Sequence, residues 1–318
     1  MMTPKKANKF TFFLLLYMAV LPFALFFVVK LLGYNETPKW FTQAITLFQD
    51  FIAFVIPVCV FLFFSRQKIT DLVPHEKIDF KNVIYIVGLA LLVMPLMNIL
   101  GVIASIFVNT AVSNEIIADI NELSFPLGVI SLAVLPAICE EVVFRGIGDK
   151  KVSPFVAIMI SSLFFGFMHQ NLYQFSYAAL TGVFLGFLVY FTNSIYASVL
   201  AHFIINGSQV VATKLALMDN SQAIMESLKE PLSKSDILEQ LAGSFFLAIL
   251  TLPFFILLFY KFAKRNKASS ARYVLCSVSK ELYVELDEVE KKDKIVDIYF
   301  IGVVIITVAL FIATSFLA

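Results

Sequence analysis

Charge is scarce in this chain: 15% of its 318 residues are Asp, Glu, Lys or Arg, whereas 60% are hydrophobic and 35 are Phe. A soluble domain of that length has no core large enough to hide so much apolar surface, so the composition excludes one and indicates a polytopic membrane protein. A net charge of +1 leaves no basic excess for a nucleic-acid footprint, and no nucleic-acid partner is expected. Cysteine is equally sparse. Cys59, Cys139 and Cys276 lie far apart, so neither a disulfide framework nor a zinc-type spacing can be drawn. His-Glu-x-x-His and G-x-S-x-G are both missing, and nothing organises Cys139, Ser161, Ser162 or Ser208 into a nucleophile site. These residues read as helix-packing positions, as does Gly182-x-x-x-Gly186.

Long apolar runs fill the space that charge leaves. Lys5, Lys6 and Lys9 precede Phe10 to Leu32, a stretch too long for a signal-peptide core and without a cleavage site, so it reads as an uncleaved first span. Further runs follow at about 41 to 65, 82 to 110, 126 to 149, 154 to 170, 173 to 192, 195 to 213, 240 to 262 and 295 to 317. Most reach the roughly 20 residues that a bilayer crossing needs. The runs at 154 and 173 are short or closely joined, so the fold class is an all-α polytopic helical membrane protein with eight or nine transmembrane helices. Three regions are expected: N-terminal helices over 1–124, a chemically equipped core over 125–213, and C-terminal helices over 214–318. The last region includes a polar linker at about 263–294, read as a solvated cytoplasmic segment.

With a cytoplasmic N-terminus and nine alternating spans, only Lys30, Lys39, Lys214, Lys229 and Lys234 of the 24 Lys and Arg fall outside. This is the positive-inside bias. The loop from Ala111 to Ser124 carries Glu115, Asp119 and Glu122 without a base, as an outer loop can. Asp50 and Asp297 lie within a few residues of span ends, where carboxylates are expected to reach the interface.

Chemistry has to come from polar groups inside the spans. Pro136 to Arg145 sets Glu140, Glu141 and Arg145 in an apolar run, and ionised side chains at membrane depth are expensive and mark function. On a helix Glu141 and Arg145 pair at i,i+4, leaving Glu140, about 100° round, to face something else. His75 lies in a polar loop and reads as ordinary. His169 and His202 lie in apolar helical runs, with Phe165 one turn before the first and Asn206 one turn after the second. A lone membrane histidine is usually packed and hydrogen-bonded; two of them near a glutamate pair form a constellation. Counting from the Lys150-Lys151 turn puts Glu140 about 15 Å and His169 about 25 Å into the membrane. From Asn193, His202 and Asn206 lie about 14 to 20 Å deep from the same face. The four can share an intramembrane cavity open to the cytoplasm.

Glu140-Glu141-x-x-x-Arg145, Phe165-x-x-x-His169 and His202-x-x-x-Asn206, in that order, resemble the CPBP family of intramembrane proteases. That family includes the type II CAAX prenyl endopeptidases and the bacterial bacteriocin self-immunity, or Abi, proteins. The resemblance covers about residues 125 to 213 and implies an all-helical membrane protease. Hydrolysing an amide needs a positioned water, a base and stabilisation of the oxyanion. Glu140 is then the base, His169 holds the water, and His202 and Asn206 stabilise the oxyanion. Glu141, paired with Arg145, fixes the helix. A zinc site built from Glu140, Glu141, His169 and His202 is the alternative, its bound water acting as nucleophile. A secondary transporter would show paired broken helices in two halves, which the sequence does not; a non-proteolytic scaffold regulating a signalling partner remains open. The compact form points to a bacterial plasma membrane, with lipid and a peptide or membrane protein as partners. Immunity, peptide processing or envelope regulation is then the expected role, and a prenylated substrate is not.

Overall fold

The computed structural model describes residues 3–108, 110–146, 154–228, 233–266 and 295–316, and among these it contains helices and no strand. Cys276, the Lys150-Lys151 turn and most of the expected linker lie outside the described residues. Besides a single helical turn at Ile69–Leu72, the helices are α1 (Pro4–Leu31), α2 (Lys39–Ser65), α3 (Phe80–Ser105), α4 (Ala111–Glu122), α5 (Phe125–Gly146), α6 (Pro154–Phe167), α7 (Leu172–Thr192), α8 (Ile195–Ser227), α9 (Lys234–Arg265) and α10 (Ile298–Phe316). Eight of them are long and apolar enough to cross a membrane. The apolar α6 has 14 residues and is only about 21 Å long, short of a hydrocarbon layer roughly 30 Å thick.

Local chemistry starts several of these helices. The Thr3 hydroxyl accepts from the Lys6 N–H at the start of α1, and Asn171 caps α7 by accepting from the Gln174 N–H. Ser233 and Asp236 form a reciprocal capping box at α9. At α3 the Asn82 N–H donates to Asp79 over 2.8 Å. That bond, with Arg265 beside it, holds the exposed Asp79 carboxyl below the usual carboxylate range.

Polar ties sort the helix ends into two sets. In one, His75 pairs with Ser194, the Ile195 N–H donates to the Pro74 carbonyl over 2.7 Å, Asn82 and Asn266 exchange amide hydrogen bonds, and Arg265 meets Asp79. Asn8 joins the N-termini of α1 and α10 by donating to the Ile295 carbonyl and to Asp297. In the other, Lys39 pairs with Glu122 at 3.2 Å, Lys214 donates to the Leu123 carbonyl, and Asn114 donates to that of Leu228. The end of α5 at Gly146 packs on Val73 of the first set, and α7 also ends there. The short α6 therefore heads from the side of the first set toward that of the second and ends inside the bundle, where α7 starts back.

Inside the bundle α3 packs on α9 and α8, α7 on α6, and α5 lies between α2 and α8, while α10 rests on α1. Leu15, Ile86, Leu89, Leu185 and Leu188 are fully buried, whereas Phe23, Phe63 and Phe64 are at least 75% exposed. Such an outward phenylalanine surface suits lipid. The expected glycine contact is present between α6 and α7. A Cβ on Gly182 would stand 2.9 Å from the Ser162 Cα, and one on Gly186 would stand 2.9 Å from Ile158. Ser162 is buried and donates to the Ile158 carbonyl, in keeping with a packing role.

Asp50 departs from expectation. It is only 6% exposed, inside α2, because that helix packs its Asp50 face on α5 instead of turning it to the interface.

Gly182→Val should lower the thermal midpoint in detergent, at a cost of about 1–3 kcal/mol from overpacking. Gly243→Ala, where nothing lies within 4 Å of the added Cβ, should not lower it. Equal losses would contradict the close α6–α7 contact.

Candidate active site

The glutamate helix is irregular. In α5 an α-helical turn Phe125–Val129 is followed by a π-helical turn Ile130–Val134, the α-helical Leu135–Glu141 and a second π-helical turn Val142–Gly146. Each π turn inserts a residue and re-aims the side chains beyond it. The first has a covalent cause. Pro136 has no N–H to close the i→i−4 ladder, and the preceding Leu135 N–H reaches back five residues to the Ile130 carbonyl. The same device recurs in α2, where Ile56, preceding Pro57, bonds to the Phe51 carbonyl and closes the π turn Phe51–Val55.

Glu141 is fully buried. Its Oε2 accepts from Arg145 Nε over 3.1 Å, with both side chains almost wholly enclosed. Arg145 Nη1 also donates to the Ser161 hydroxyl of α6, which gives Ser161 a role beyond packing. On the other side His202 Nδ1 of α8 approaches Glu141 Oε1 to 3.4 Å. The approach lacks hydrogen-bond geometry, so both atoms, like Arg145 Nη2, have no hydrogen-bond partner among the described residues, and the contact is electrostatic.

Phe165 is the hub of this cluster. Its ring meets His169 edge-on at 5.4 Å and His202 edge-on at 5.7 Å between centroids, and the Arg145 guanidinium lies over it at 5.6 Å. His169 is not within a helix as the sequence suggested. Helix α6 stops at Phe167 and His169 sits in the turn that follows, closed by Gln170 at φ 58° and by Asn171 Nδ2 donating to the His169 carbonyl over 2.7 Å. Non-helical backbone near membrane depth persists only where such partners enclose it. His169 Nδ1 lies 3.0 Å from the Phe165 carbonyl. A carbonyl only accepts, so Nδ1 carries the proton and Nε2 is left as an acceptor.

Direct contacts thus join Glu141, Arg145, Phe165, His169 and His202. Glu140 and Asn206 stand beside them, both half-buried: Glu140 within electrostatic range of Glu141, Arg145 and Asp50, and Asn206 one turn beyond His202 on α8. A cavity between α1, α5 and α6, lined by Asn8, Thr11, Val143, Phe144, Ser161 and Phe164, adjoins the supporting side of the cluster and none of Glu140, His169, His202 or Asn206. Among the described residues no three His, Cys, Asp or Glu side chains come together as a group that could hold a metal ion.

Residues 122–208 match the family model of the Rce1-like type II CAAX prenyl endopeptidases. The match covers 87 of the 318 residues and supports a likeness to the CAAX/CPBP intramembrane proteases. The match runs from just before α5 into α8 and takes in every residue of the cluster, so at the level of the family it supports an intramembrane protease. No curated protein and no solved structure matches the chain.

Removing Arg145 leaves the Glu141 carboxylate buried without its partner. Arg145→Met should destabilise the CPBP core by about 3–5 kcal/mol, and Glu141→Leu with Arg145→Met together by much less, as read from thermal midpoints in detergent. Equal losses in the single and double variants would show that the pair is not coupled.

Proposed function

We propose that the chain is an intramembrane endopeptidase that uses a glutamate-activated water. The observation that carries this reading is the His169 tautomer. With Nδ1 held by the Phe165 carbonyl, Nε2 can accept a hydrogen bond from a water, and that water's other proton is available to the Glu140 carboxylate. As the water oxygen bonds to the substrate carbonyl carbon, its proton passes to Glu140 and the carbonyl becomes an oxyanion. His202 presents Nδ1 to Glu141, which leaves Nε2 to face the oxyanion, with the Asn206 amide beside it as a donor. The C–N bond then breaks and Glu140 returns the proton to the leaving amine. Glu141 and Arg145 hold His202 and the helix in register.

The charge bias of the loops supports a cytoplasmic N-terminus and a cavity reached from the cytoplasm. A membrane peptide or membrane protein is the substrate class, and in a bacterial plasma membrane its cleavage serves immunity, peptide processing or envelope regulation.

Comparative proteomics of membrane-peptide termini in cells carrying wild type and Glu140→Gln tests the assignment. Wild type should generate termini that vanish in the variant at equal accumulation of the protein; identical termini would instead favour a scaffold. Activity should also survive stripping by a strong chelator. Loss that zinc alone restores would overturn the metal-independent mechanism.

A further inference from the structure

Resting on the reading of Glu140 as base, we propose that Asp50 of α2 is a positioning residue that shares one proton with Glu140 through a bridging water. Asp50 is the last residue before the π turn of α2, and Glu140 follows the π turn of α5; these segments pack on each other. Asp50 is 6% exposed, and its Oδ2 has no hydrogen-bond partner among the described residues. It lies within electrostatic range of both Cys139 and Glu140. Among the described residues the cation that reaches Glu140 is Arg145, which is already committed to Glu141 and Ser161.

Two neighbouring carboxylates in a low-dielectric interior with no cation between them do not both ionise; they hold one proton between them. Such a pair carries one negative charge, and the bridge fixes the Glu140 carboxylate toward the water that it deprotonates. During hydrolysis the proton leaving water makes the pair neutral as the oxygen bonds to carbon. One proton then goes to the leaving amine as the C–N bond breaks, which restores the starting state.

Infrared difference spectra of the full chain in lipid nanodiscs at neutral pH read the shared proton directly. Wild type minus Asp50→Asn should show loss or displacement of a protonated-carboxyl C=O band, and wild type minus Glu140→Gln should alter the same band. A flat difference in that region for either correctly inserted variant overturns the proposal. If Asp50→Asn does not insert, Glu140→Gln alone decides it. The readout needs no substrate, so its failure would leave the protease assignment standing, and loss of proteolysis would not remove the band.

Discussion

The arrangement depends on the ion pair between Glu141 and Arg145, closed inside a bundle whose outer surface is phenylalanine and leucine. A charge in such a place is tolerated only when it is paired. One carboxylate and one guanidinium thereby tie three helices together: α5 supplies both, α6 receives the arginine through Ser161, and α8 brings His202 to the other carboxylate oxygen. Phe165 fills the angle between them and separates the two imidazoles by a single ring. The polar centre is thus held by contacts whose loss would strand a buried charge, which favours one arrangement of the four core helices.

Backbone irregularity does the aiming. Both described helices in which a π turn precedes an X-Pro step, α2 and α5, are long apolar segments, and the proline removes the N–H that an α-helical ladder would use at that point. The added residue shifts the register of the helix beyond it, and Glu140, after the α5 turn, lies in the segment that packs on α2. The turn after α6 does a similar job for His169. Its position at the end of a short helix, with the Asn171 amide satisfying its carbonyl, lets one ring nitrogen be fixed by the backbone while the other stays available.

Much of this was legible in the chain. The apolar runs located the helices, the i,i+4 spacing of Glu141 and Arg145 foretold their pairing, and Gly182 and Gly186 marked a close helix contact. Three ordered motifs identified the core that the family comparison matches over residues 122–208. What escaped did so for physical reasons. Helical periodicity assumes 3.6 residues per turn, so the two proline-linked π turns were invisible to it and with them the inward placement of Asp50. Distance from a span end placed Asp50 at the interface, whereas lateral packing decides burial. His169 looked helical because the run is apolar through Met168; the Gln170-Asn171 step that ends the helix is a local effect of a side-chain cap.

The short α6 unites fold and site. Because it stops at Phe167, the α6–α7 turn carries His169 toward His202, deep within the bundle and away from the surface charges. The central claim is that Glu140, His169, His202 and Asn206 face one hydrated volume organised by the buried ion pair. A cryo-electron microscopy map of the chain in a lipid nanodisc, at a resolution that shows ordered water, tests it most directly. The account predicts a water bridging Glu140 and His169 Nε2, with His202 and Asn206 on the same volume. Apolar side chains filling the space between Glu140 and the histidines, with no water there, would contradict it.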